Sequence, residues 1–173
     1  IIDPLSDVLD PFNIIIVCSL VIFFNLNVKY LLQNKVKLKL LQEKTGLEYA
    51  KIIDTFDFYL LVCKHWIWSL AIAGIICNII KYIFGVARPK YFFFEGFERV
   101  DFFNALHKAN SFPSGHTQAA FTLAILLVIY VKKYYWFIFA IAALMGISRI
   151  FMSMHFPSDI LFGAYLGSLI PIL

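Results

Sequence analysis

The chain has 173 residues, of which 61% are hydrophobic, 18% aromatic and only 15% charged. A water-soluble domain of this length covers its surface with more polar side chains than that, so the composition excludes an ordinary soluble fold and points to a single membrane-embedded domain over residues 1–173. The net charge of +4 is carried by basic residues at the edges of apolar segments. No basic stripe on a soluble face is visible, which speaks against nucleic-acid binding.

The opening residue is Ile1, not methionine, and the chain closes in an apolar run. Further residues are therefore expected at one or both ends, and no cleavable signal peptide is recognisable. About 20 helical residues cross a bilayer, and five segments satisfy that need: 12–28, 65–84, 112–131, 134–154 and 157–173. The reading is an all-α, polytopic transmembrane bundle. The lysine-rich stretch between the first two segments reads as a cytoplasmic loop carrying a helix near the membrane surface. The amphipathic residues 47–64 are expected to contribute more to the membrane if the chain starts near Ile1. Lys132 and Lys133 mark a second cytoplasmic turn, which places residues 88–111 and the surroundings of His155 on the outer side. Cys18, Cys63 and Cys77 sit in apolar runs without metal-ligand spacing and read as small core residues.

Three motifs gather on that outer side. In KYIFGVARP, Lys81 and Arg88 are seven residues apart and share a face if the helix continues, but Gly85 and Pro89 predict its end there. In SFPSGHT, Pro113, Ser114 and Gly115 stand where a loop enters an apolar helix and His116 lies in the first turn. Unpaired N–H groups and the helix dipole make such a start an anion site, although an ordinary cap explains it too. In SRIFMSMHFPSD, Arg149 in so apolar a setting needs an anionic partner or a polar cavity. His155 and Asp159 are four apart, so the carboxylate can accept from one ring nitrogen and leave the other to attack.

These blocks resemble the signature of the type 2 phosphatidic acid phosphatase family: K-x6-RP, then PSGH, then SR-x5-H-x3-D. All three match in order and spacing from Lys81 to Asp159, about half the chain. The resemblance implies a metal-independent lipid phosphatase without cofactors. His155 would be the nucleophile, Asp159 its orienting partner, and His116 the acid that protonates the leaving oxygen. Lys81, Arg88, Ser114, Gly115 and Arg149 would bind phosphate oxygens, with Ser148 and Pro113 supporting. It also implies a catalytic core over residues 81–159 and about six membrane helices, so a helix ahead of Ile1 is expected to supply the sixth. Compact bacterial members act on lipid A 1-phosphate, undecaprenyl diphosphate or phosphatidylglycerol phosphate, which implies a bacterial inner membrane location with the site facing the periplasm. The partners implied are the lipid phosphate and membrane lipids.

No acidic cluster suited to magnesium or zinc accompanies the motifs. Residues 90–111 are crowded with aromatics and read either as a lid beside a lateral lipid entrance or as a folded, anchoring plug; His107 and Lys108 are their candidate headgroup contacts, and His65 reads as structural. Two rivals to the phosphatase reading are a catalytically silent lipid-binding or transport protein and a vanadate-dependent haloperoxidase, whose soluble members share the signature.

Overall fold

The computed structural model describes residues 11–46 and 48–173; Leu47 and any helix preceding Ile1 lie outside them. The helices are α1 (Pro11–Leu32), α2 (Lys35–Thr45), α3 (Tyr49–Phe84), α4 (Pro89–Glu95), α5 (Gly115–Val131), α6 (Tyr135–Phe151) and α7 (Pro157–Leu169), with 3₁₀ turns at His107–Ala109 and Ile170–Ile172. Among the described residues the one extended pairing is an isolated bridge between Val86 and Val100. The all-α expectation is met.

Two helices, α1 and α3, are long and apolar enough to cross a membrane. The others are shorter: α5 and α6 have 17 residues each and α7 has 13. Lys132 and Tyr134 adopt positive φ at the corner between α5 and α6 and so end both helices there. Beyond the end of α7, Pro171 lacks a backbone donor and Ile170–Ile172 form a 3₁₀ turn. At its other extreme, α3 begins at Tyr49, sixteen residues ahead of the expected span. No glycine or proline interrupts YAKIIDTFDFYLLVCK, and Ile52, Leu60 and Cys63 give it a buried stripe, so it continues as helix instead of ending in a loop.

The chain divides into two compact units, Phe12–Trp68 and one containing Ser69–Leu173. In the first, α1 buries Cys18, Asn25 and Leu32 at seven-residue intervals, one stripe down a helix. Lys29 of α1 pairs with Asp57 of α3 at 2.5 Å, and Cys18 meets Cys63, so the two helices run antiparallel. The Asn34 side chain accepts from the Val36 N–H at the start of α2, and Gly46 ends it in a left-handed turn.

In the second unit, α5 packs against both α6 and α7. Small residues permit it. A Cβ at Gly146 would meet Ile160 and Thr117, one at Gly163 would lie 2.6 Å from the Ser114 carbonyl oxygen, and one at Gly167 would strike the Gln118 backbone. Gly163 and Gly167 form a G-x-x-x-G ridge, which lets helix backbones approach closely in an apolar medium. Buried Thr122 donates to the Gly167 carbonyl (3.1 Å) and accepts from Gln118 (3.0 Å). Of these two, only the Thr122–Gly167 bond joins two helices, and an interhelical bond of this kind contributes roughly 0.6–2 kcal/mol in membranes. The contact fixes the start of α5 against the start of α7.

Candidate active site

Gly85 follows the last residue of α3 with φ 51°. A side chain there would run into the Asp101 carbonyl, so the turn requires glycine. Lys81 lies in the last turn of α3, whereas Arg88 lies beyond the helix, at the N-cap of α4. The shared helical face of these two residues is thus replaced by a chain that folds back. Lys81 is buried and its Nζ donates to the Asn110 carbonyl (2.9 Å).

Residues 85–111 are sewn down by backbone bonds. Ala87 donates to Arg99, Asp101 to Gly85, and Arg88 to Lys108, each at 3.0 Å, while Ser111 donates to Val86 (2.8 Å) and Lys90 to Ser153 (3.1 Å). Lys108 is held by Glu95 (2.7 Å) and lies over the rings of Tyr91 and Phe97. Arg99 stacks on Phe156 and Phe92. This bonding gives the segment a defined fold, and Lys108 is engaged within it. His107 is exposed, and the Arg88 charge beside it holds its imidazole below the usual histidine range. His65 lies inside α3, in the other unit.

Ser114 caps α5: its Oγ accepts from Thr117 N–H (3.4 Å) and Thr117 Oγ1 (2.9 Å). Its own N–H donates to the Asp159 carbonyl (3.0 Å). Pro113 is buried after a cis bond from Phe112. Gly115 begins the helix beside Lys81, whose Cε would lie 3.8 Å from an added Cβ. His116 is exposed in the first turn, and the side chains of Arg149, His155, Lys81 and Arg88 all lie within electrostatic range of it. Five of the residues singled out in the sequence therefore converge near the start of α5.

Arg149 is buried in α6, its guanidinium reaching the sulfur atoms of Met145 (3.6 Å) and Met152 (3.8 Å). Arg88 reaches Met154 sulfur at 3.2 Å. The Ser148 hydroxyl turns back to the Met145 carbonyl of its own helix (2.7 Å), so its bond is local to α6.

His155 occupies the α6–α7 connection and is buried. Its Nδ1 lies 2.7 Å from the Ser111 carbonyl oxygen and 3.7 Å from Asp159 Oδ2. A carbonyl can only accept, so Nδ1 carries the proton and Nε2 keeps its lone pair. Burial holds the ring below the usual histidine range, against the opposing pull of Asp159. Asp159 Oδ2 accepts from the Ser111 hydroxyl (2.5 Å) and the Phe156 N–H (2.8 Å). Ser111 is the residue that motif reading passed over, and no local signal marks it. Beside His155 a cavity of about 350 Å³ opens, walled by Phe93, Phe94 and Phe156.

A helical protein that gathers two histidines, a carboxylate and three basic side chains at one helix start presents the charges and donors that an oxyanion site requires. The chain belongs to the PAP2 superfamily, whose pattern matches residues 64–173. It is 35% identical over 98 residues to "Bacitracin transport permease protein BcrC" of Bacillus licheniformis, covering 57% of this chain and 48% of that protein. It is 28% identical over 155 residues to "Lipid A 1-phosphatase" of Rhizobium etli, covering 88% of this chain and 60% of that one. The chain thus spans about half to three fifths of the length of these curated relatives. The crystal structure of Aquifex aeolicus LpxE superposes with a TM-score of 0.54 at 30% identity, over 88% of this chain and 84% of that chain.

Proposed function

We propose that this chain is a membrane-embedded lipid phosphatase that hydrolyses a phosphate monoester or diphosphate through a phosphohistidine. The observation that carries this reading is His155, buried with its Nδ1–H donating to the Ser111 carbonyl and placed among Lys81, Arg88 and His116. In the first step Nε2 bonds to phosphorus, the bond to the lipid oxygen breaks, and His116 gives that oxygen a proton. Water then attacks phosphorus, the P–N bond breaks, and His116 takes up the proton that water releases. Lys81, Arg88, Arg149 and the N–H groups of the α5 start stabilise charge on the phosphoryl oxygens throughout. Ser114 has its own hydroxyl proton to offer a phosphate oxygen, and Gly115 leaves room for close approach. Asp159 stands behind the His155 ring, which the Ser111 carbonyl orients, and balances its charge in the intermediate.

The phosphate pocket does not select the lipid. The aromatic cavity beside His155 suits an apolar chain attached to the phosphate, and lipid A 1-phosphate, undecaprenyl diphosphate and phosphatidylglycerol phosphate are the candidates. A bundle of five spans in this chain, with the site facing the periplasm of a bacterial inner membrane, accords with the lysines of α2 and of the α5–α6 corner. The name of the Bacillus licheniformis relative brings transport into view as a second reading, but the presence of every residue of the phosphatase signature favours catalysis. The test is phosphate release by the purified protein from those three lipids in detergent, with and without EDTA. Release from at least one lipid that survives the chelator is expected; none from any would overturn the proposal.

A further inference from the structure

We infer that Ser111 is a positioning residue for the proposed nucleophile, setting the His155 ring with its carbonyl and the Asp159 carboxylate with its hydroxyl. The inference rests on the phosphatase reading and adds to it a residue outside the signature. Its basis is geometric. Ser111 is fully buried, and its N–H is fixed to Val86 at 2.8 Å. Its carbonyl, at 2.7 Å, takes the Nδ1 proton, while Asp159 Oδ2 stands off at 3.7 Å. Its hydroxyl has one proton and two acceptors in reach, Asp159 Oδ2 at 2.5 Å and the Met154 carbonyl at 3.3 Å. The ionised, nearer oxygen takes it.

The arrangement explains why Asp159 does not bond His155 directly. Oδ2 already accepts from Ser111 Oγ and Phe156 N–H, and these two donors hold it behind the ring. Without the hydroxyl, the carboxylate is free to swing toward Nδ1 and compete with the Ser111 carbonyl. The ring would then turn, and Nε2 would lose its aim at phosphorus. A displacement of about 1 Å in a reacting group costs on the order of 10²-fold in rate.

The experiment compares Ser111→Ala and Ser111→Cys with the parent protein, alone and in an Asp159→Asn background. For Ser111→Ala we expect kcat to fall about 10- to 100-fold with KM held within about twofold, because Ser111 touches no phosphate oxygen. Ser111→Cys should fall between, since a thiol is a weaker donor of similar size. In the Asp159→Asn background Ser111→Ala should add little, as expected of residues that act as one unit. An unchanged kcat in Ser111→Ala, or losses that multiply fully in the double variant, would overturn the inference. A second readout needs no turnover: the ¹⁵N resonances of the His155 ring followed against pH. Loss of the hydroxyl leaves the Asp159 charge less neutralised, so the His155 midpoint should rise in Ser111→Ala, with Lys81, Arg88 and His116 still facing the ring as before. A midpoint that stays put would sink the inference even if the parent protein released no phosphate, the outcome that would sink the phosphatase reading instead.

Discussion

His155 Nδ1 lies 2.7 Å from the carbonyl oxygen of Ser111, a full ångström closer than it lies to the carboxylate of Asp159 at 3.7 Å. The acceptor-only carbonyl fixes the tautomer, leaving Nε2 as the sole nitrogen able to attack. Replacing His155 by Ala removes the proposed nucleophile, so phosphate release should drop on the order of 10³-fold or more. Full activity in that variant would remove His155 from the mechanism.

Asp159→Asn keeps the size of the side chain and removes its charge. The Ser111 carbonyl still holds the ring, so the tautomer survives, but the positive charge that develops on His155 during attack goes unbalanced. A loss in kcat of about 10²- to 10³-fold is expected, with substrate still bound. Steady-state kinetics on a water-soluble phosphate ester would separate the two effects; a rise in KM with kcat intact would contradict this role.

The pH profile follows from burial. His155 is held below the usual histidine range by burial, with Asp159 opposing and the charges of Lys81 and Arg88 adding to it. A lowered value means that the neutral, attacking form is present at pH 7 and is lost only as pH falls through that lower value. The acid limb of kcat/KM should therefore lie below about pH 6.5, the ordinary histidine value. A bound phosphate dianion favours the protonated form of His116, the proposed acid, so an alkaline limb is expected in kcat, where substrate is bound. Rates flat from about pH 4 to 9 would contradict two-histidine chemistry.

Arg149→Lys retains the charge and loses the planar fork. If Arg149 grips two phosphoryl oxygens at once, a lysine holds one, and kcat/KM should fall about 10- to 100-fold. An equal rate in both proteins would reduce Arg149 to a point charge.

Gly163→Ala tests the packing that sets the site. The added Cβ would fall 2.6 Å from the Ser114 carbonyl oxygen, and Ser114 N–H bonds Asp159 at the same contact. We expect a loss of about 1–3 kcal/mol in stability together with reduced activity. Gly74→Ala, whose Cβ meets nothing within 4 Å in the interior of α3, should be neutral or mildly stabilising. Thermal unfolding of both variants in detergent distinguishes them, and equal melting temperatures would deny the close approach of α7 to α5.

Local chemistry made much of this legible in advance. Ser114 before an apolar run predicts the start of α5, and Gly85 with Pro89 predicts the end of α3, because caps and breakers act within a few residues. The grouping of Lys81, His116, Arg149 and His155 at one place followed from their sitting at alternate ends of apolar runs. What escaped depends on residues far apart in sequence. Ser111 meets His155 and Asp159 across separations of 44 and 48 residues, and nothing within SFPSGHT distinguishes its first serine from an ordinary polar residue. The fold of residues 85–111 rests on main-chain pairing, which leaves no periodic trace. The extension of α3 to Tyr49 was hidden by its charges, which suggested a loop although no breaker stands among them.

The main-chain stitches that close residues 85–111 do not read side chains. Arg88 is anchored through the carbonyl of Lys108 and Ser111 through that of Val86, so two members of the centre are held from behind by atoms every amino acid possesses. Grip and reach are thereby uncoupled. The rings between those anchors carry none of these main-chain bonds, so exchanging one of them leaves both anchors tied.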